Sequence, residues 1–203
     1  MAKVLHIDSS VRNTGSLTRQ LGGEFIAKLQ AADAGTTVVS RDLAANPLPH
    51  LTETLIGAYY TPAEQRNAEQ AQVIQTSDAL VDELLAADTI VIGAPMYNFS
   101  VTSGLKAWID HVARAGRTFK YGANGAEGLV SGKKVYVIVA SGAAYSEGPY
   151  APYDYVTTYL RSVLGFLGMT DISFIVAEGV AMGEDAVAAA IAKSRAKIEA
   201  IAA

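Results

Sequence analysis

Three short segments hold residue types that could do chemistry together. Ala94-Pro95-Met96-Tyr97-Asn98-Phe99 follows the apolar run Thr89-Ile90-Val91-Ile92-Gly93 and precedes an amphipathic stretch from Ser103 to Ala115. Asn98 offers a donor and an acceptor to the amide-like edge of a planar ring. Tyr97 and Phe99 can stack on such a ring or wall it in, and Met96 either contacts it through its backbone or fills core beneath. The second segment, Ser9-Ser10-Val11-Arg12-Asn13-Thr14-Gly15-Ser16-Leu17-Thr18, is rich in hydroxyls and opens a helix. Free N–H groups and the helix dipole favour an anion there, Ser10, Ser16 and Thr18 add donors, and Gly15 can supply a positive φ. It is neither a Gly-Lys-Ser/Thr loop nor a G-x-G-x-x-G turn, and the plainer alternative is a helix capped by Ser16. The third, Ala140-Ser141-Gly142-Ala143-Ala144-Tyr145, is small enough for its N–H groups to approach the electron-rich edge of a ring, or is simply a turn.

The elements that must position these loops alternate along the chain. Strands are expected over Val4–Ile7, Thr36–Arg41, Thr89–Ala94, Val135–Val139 and Ile172–Ala177. Helices are expected from Leu17 to about Leu29, over Ala68–Ala86, over Ser103–Ala115, over Tyr153–Leu167 and from Glu184 onward. Residues 45–66, with Pro47, Pro49 and Pro62, read as an irregular excursion. Leu105, Trp108, Ile109 and Val112 form one helix face, with a Lys106–Asp110–Arg114 ladder outside it. Gly22 and Gly23 sit inside the first helix with no sequence-level reason beyond close packing. Five β–α units imply an α/β fold: a doubly wound, flavodoxin-like five-stranded parallel sheet of order 2-1-3-4-5 in a three-layer α/β/α sandwich. All three loops then leave its carboxyl edge, where open α/β sheets bind ligands.

The 203 residues fit a single domain spanning 1–203, and half of them are apolar. With no cysteine, disulfides, thiolate metal sites and cysteine nucleophiles are excluded. His6, His50 and His111 are scattered and read as strand, loop and helix-surface residues, so no metal site and no nucleophilic triad is expected. A net charge of −4 argues against a nucleic-acid partner. No apolar run approaches the roughly 18 residues of a membrane span and the chain starts directly into a strand, so a cytoplasmic protein is expected.

Several segments resemble one known family. Ala94–Phe99, Val112-Ala113-Arg114-Ala115-Gly116 with Thr118-Phe119-Lys120-Tyr121, Glu127-Gly128-Leu129 and Leu164-Gly165-Phe166-Leu167-Gly168 are similar to the FMN-dependent azoreductases, also described as NADH:quinone oxidoreductases. The likeness covers essentially the whole chain, including Arg41-Asp42-Leu43-Ala44 and Ala177-Glu178-Gly179. It implies that Ser10, Ser16, Leu17 and Thr18 hold the FMN phosphate and that Met96, Tyr97, Asn98 and Phe99 hold the ring. The family's ring-edge loop, usually Ser-Arg-Gly-Gly, falls on Ala140, Ser141, Gly142 and Ala143, so the arginine is lost here. Phe99, Phe119, Tyr121, Tyr145 and Val163 are the expected acceptor pocket, with Val163 standing where some relatives carry an aromatic.

The implied activity is a ping-pong, two-electron transfer from NADH through FMN to quinones and azo compounds, with no catalytic side chain beyond the cofactor. The resemblance also implies a homodimer with FMN at the subunit boundary, which Tyr59, Tyr60, Tyr150, Tyr153, Tyr155 and Tyr159 would suit. The alternatives are a flavodoxin-type electron carrier, a flavin-binding regulatory module and an NADPH-dependent FMN reductase that releases reduced flavin.

Overall fold

The run Thr-Ile-Val-Ile-Gly-Ala-Pro has no polar alternation, the mark of a strand buried on both faces of a parallel sheet. In the computed structural model, which describes residues 2–202, it forms the central strand β3 (Thr89–Pro95). Its neighbours are β1 (Lys3–Asp8) and β6 (Lys134–Ser141); β2 (Thr37–Asp42) and β7 (Asp171–Glu178) close the edges. All pairings are parallel, in the order β2-β1-β3-β6-β7, which is the expected 2-1-3-4-5 order of the main sheet. The order reverses between β1 and β3, and the crevice at that switch point is where the loops after these strands meet.

Side chains of successive strand residues point to opposite faces, so the sheet feeds two cores. Ile7, Ile92 and Val137 pack under α3 (Ala68–Ala86), α4 (Ser103–Val112) and α5 (Thr157–Phe166), where Trp108 is fully buried. Val4, Val91 and Ile138 face α1 (Leu17–Ala32) and α6 (Glu184–Ala202), which contribute Leu21, Phe25 and Ile198. His6 and Asp8 share the face of Val4 on the α1 side, and this brings two titratable groups under the first loop.

Several elements differ from the sequence reading. Within 45–66 lies a helix, α2 (Glu53–Tyr60), capped by Thr52 and burying Leu55 and Ala58. α4 stops at Val112 rather than Ala115, because the Thr118 hydroxyl accepts the Arg114 N–H (2.8 Å) and donates to the Val112 carbonyl (2.6 Å). A two-stranded hairpin follows, β4 (Phe119–Gly122) with β5 (Gly125–Gly128). A Cβ at Gly128 would fall 2.1 Å from the Gly168 nitrogen, so only glycine allows the hairpin to lie against the end of α5. α5 itself begins at Thr157, after a short 3-10 turn, with Asp154 accepting the Val156 and Thr157 N–H groups.

The outer ladder on α4 forms only in part. Lys106 pairs with Asp110 at 2.6 Å, but Arg114 turns inward to Ser77 (2.6 Å) and Asp78 (3.1 Å) beneath the Tyr59 ring. His111 is buried rather than at the helix surface, and its Nε2 donates to the Pro49 carbonyl at 2.9 Å.

Candidate functional site

The loop after β1 is built to present N–H groups. Ser9 donates to the Gly93 carbonyl at 2.6 Å and ties the loop to β3. Ser10 is buried, with its hydroxyl accepting the Arg12 N–H at 3.2 Å. Gly15 takes φ +65°, and Ser16 caps α1 by accepting the Arg19 N–H at 3.4 Å. The Ser16 and Thr18 hydroxyls lie 3.2 Å apart, so two donors can converge on one oxygen. The first turn of α1 holds no acidic residue, leaving the positive end of its dipole to an outside anion.

The loop after β3 is a strained tight turn. Tyr97 and Ser100 exchange two backbone hydrogen bonds of 3.1 Å, forcing Asn98 and Phe99 to φ +48° and +69°. Asparagine tolerates that conformation; for phenylalanine it costs about 1–2 kcal/mol. The Phe99 carbonyl accepts the Tyr155 N–H at 3.2 Å, and its half-exposed ring lies 5.7 Å from Tyr153 and 6.3 Å from Tyr145. Such strain persists only where the surroundings enforce it.

The loop after β6 is fixed from two sides. The Ala140 carbonyl accepts the Met96 N–H (2.8 Å), joining the second and third loops. The Ser141 and Gly142 carbonyls accept N–H groups from Val180 and Ala181 at 3.1 and 3.0 Å. A Cβ on Gly142 would stand in van der Waals contact with that of Ala181 at 3.4 Å. The Glu178 carboxylate accepts the Tyr145 and Ser146 N–H groups (2.9 and 3.0 Å). Burial alone would raise its pKa, but the Ser146 hydroxyl, which also donates to the carboxylate, and these two N–H groups outweigh it and hold the carboxyl below its ordinary value.

One cavity of about 320 Å³ joins the three loops, within the range of small-molecule sites. Ser10, Ser16, Leu17 and Thr18 line it from the first loop, Met96 and Tyr97 from the second, and Ala140, Ser141 and Gly142 from the third. Asn98, Phe99 and Ala143 are in the same loops but off its wall. A neighbouring cavity shares Met96 and Ser141 and is lined by Tyr145. Phe119, Tyr121 and Val163 reach neither cavity: Phe119 packs on Phe166 (4.6 Å), and Tyr121 is exposed on the hairpin. Arg12, Pro95, Val180 and Val187 also line the first cavity and escaped sequence reasoning. Only Arg12 carried a signal, as a cation in a hydroxyl-rich loop.

An anion loop at the switch point of a 2-1-3-4-5 parallel sheet, beside a slot walled by Met96 and Tyr97, defines a flavodoxin-like protein. A family model described as flavodoxin-like fold matches residues 2–202. A protein of Herminiimonas arsenicoxydans named FMN-dependent NADH:quinone oxidoreductase is 59% identical over 194 residues, covering 96% of this chain and 95% of that protein. The azoreductase of Bacillus anthracis str. Sterne superposes with a TM-score of 0.93 at 30% identity, covering 100% of this chain and 99% of that one. An FMN-dependent NADH-azoreductase of Bacillus anthracis str. Ames Ancestor, solved in complex with FMN, gives a TM-score of 0.87 at 26% identity, covering 99% and 100%. The chain belongs to the flavodoxin-like family, in the branch of the proteins named FMN-dependent NADH:quinone oxidoreductases.

Proposed function

We propose that this single-domain protein is an FMN-dependent oxidoreductase that uses NADH to reduce quinones and aromatic azo compounds. The observation that carries the reading is the convergence of three differently built loops on one cavity. FMN, when bound, would supply the two-electron redox chemistry that links NADH to the acceptor.

The chain's own residues bind and orient. Ser10, Ser16 and Thr18, with the N-terminus of α1, would hold the phosphate, and the Arg12 side chain would add charge. Met96, Tyr97 and Asn98 would flank the ring, while the backbone of Ala140, Ser141, Gly142 and Ala143 meets its edge. The small residues of this loop fit the role, because they let its N–H groups approach the ring closely. The Phe99 and Tyr145 rings lie 6.3 Å apart, Tyr145 on the wall of the neighbouring cavity, and would suit a flat acceptor, with the Tyr145 hydroxyl as a hydrogen-bond donor.

We also infer a homodimer with the cofactor at the subunit boundary. Phe119, Tyr121 and Val163 lie off the cavity of their own protomer, so they could serve an acceptor only at the mouth of a second copy. The exposed rings of Tyr60, Tyr150, Tyr153 and Tyr155 suit such a boundary. Sedimentation equilibrium reading a monomer at micromolar concentration would remove this part of the proposal. A cytoplasmic location goes with NADH as the donor. Among the described residues no helix is long and apolar enough to cross a membrane.

The decisive test is anaerobic absorbance of the protein loaded with FMN. Bleaching by NADH and recolouring by benzoquinone are expected. A flavin that stays yellow with NADH and NADPH alike would leave a carrier or binding module. Turnover that appears only with added free flavin would indicate an FMN reductase.

A further inference from the structure

We propose that Arg19 is a positioning residue: it shapes the anion loop from behind without touching the anion. The inference rests on the reading that Ser10–Thr18 receives the FMN phosphate.

Arg19 occupies the first turn of α1, where a cation opposes the helix dipole. Its side chain is largely buried and is not on the cavity wall. Its planar fork is spent on four bonds. Nε donates to the Arg12 carbonyl (3.1 Å) and Nη2 to the Ser10 carbonyl (2.8 Å). Nη1 and Nη2 grip the two Asp42 carboxylate oxygens at 2.7 and 2.8 Å. Asp8 adds a second carboxylate 3.6 Å from Nη1.

The consequence lies in peptide geometry. In a trans peptide the carbonyl and the following N–H point in opposite directions. Holding the Ser10 and Arg12 carbonyls on the guanidinium therefore turns the Val11 and Asn13 N–H groups away from Arg19. Asp42 is itself anchored at the end of β2, accepting the Ala44 and Ala45 N–H groups at 3.0 Å each. The loop is thus referenced to the sheet edge through one side chain. Because Asp42 pairs with the fork bidentately, little net charge from Arg19 is left to attract a phosphate. Its contribution is shape, which lysine cannot reproduce, since an ammonium is a point donor rather than a fork.

Dissociation constants for FMN and for riboflavin, read by flavin fluorescence, test this in the wild type, Arg19→Lys and Asp42→Asn. The wild type should prefer FMN. In Arg19→Lys FMN affinity should fall by about tenfold, while riboflavin affinity stays within about twofold. Asp42→Asn loosens the anchor and should also lower the FMN preference. If Arg19 acted through charge, lysine would restore the preference and Asp42→Asn, by unmasking a cation, would raise it; either result overturns the proposal. An equal loss of FMN and riboflavin binding would mark general disruption and overturn it as well. A wild type that binds FMN no better than riboflavin would instead defeat the phosphate reading itself.

Discussion

The two adjacent glycines of α1 give opposite expectations, and the structure sets both signs. Inside a helix each glycine costs about 1 kcal/mol relative to alanine. At Gly23 an added Cβ meets nothing within 4 Å, so Gly23→Ala should recover that full amount. At Gly22 the Cβ would stand 2.9 Å from His6 Nε2 and 3.7 Å from Ile138 Cδ1. The His6 ring is buried and has Asp8 Oδ2 at 3.8 Å, so it has little room to yield. Overpacking of this kind costs roughly 1–3 kcal/mol. Set against the helix gain, Gly22→Ala should lose about 1 kcal/mol, and the two variants should differ by about 2 kcal/mol. For a chain of this length that is a separation of roughly 4–8 °C in Tm. Thermal melts followed by circular dichroism read it directly. Should Gly22→Ala melt as high as Gly23→Ala, close approach of α1 to β1 would not be what selects the glycine.

Phe99→Gly should leave Tm within about 3 °C of wild type, because relief of the left-handed strain offsets the lost ring contacts, while quinone turnover falls. A large loss of stability with turnover intact would refute it. Arg12→Ala should weaken FMN binding by about fivefold at low salt, leave riboflavin unaffected, and lose most of that difference at high salt. Equal effects on both flavins would rule out a phosphate contact. Burial holds the His111 pKa below its ordinary 6.5. Its neutral ring therefore stabilises the fold above that value, and the contribution is lost as pH falls toward the depressed folded value. Tm should drop from about pH 7.5 to about pH 5.5, and drop less in His111→Gln, whose amide can still donate to Pro49. An identical drop in the variant would transfer the effect to other groups, such as His6, which burial shifts in the same direction.

What was legible in the sequence was whatever a local window determines. The run Ile90-Val91-Ile92 announces a doubly buried strand, and the i, i+3, i+4, i+7 face of Leu105, Trp108, Ile109 and Val112 announces a core helix. The polar loops following three such strands could be placed at one edge, which was enough to propose a site. The missed features depend on partners distant in the chain. Arg114 and His111 read as surface groups because Ser77, Tyr59 and Pro49, which receive them, are remote in sequence. The prolines around residues 53–60 hid α2, a helix too short to persist without tertiary packing. The hairpin 119–128 is polar and glycine-rich, and its placement depends on backbone contact between Gly128 and Gly168. The left-handed turn at Phe99 runs against residue preference, so no propensity argument could have found it.

The three loops share a mode of construction that bears on how a flat anionic cofactor would be held. Each is held by a residue that does not itself line the first cavity: Arg19 holds the Ser10 and Arg12 carbonyls, the Tyr155 N–H holds Phe99, and Glu178 holds Tyr145 and Ser146. The anchors are of three kinds (a guanidinium, a backbone amide and a carboxylate), and they come from different elements. Rigidity therefore does not depend on the occupant. A ligand entering such a site has little loop ordering left to do, so more of its contact energy appears as affinity. The strain at Phe99 fits the same logic. Its cost of about 1–2 kcal/mol is borne during folding, and the ring is already set beside Tyr145 and Tyr153 before any acceptor arrives.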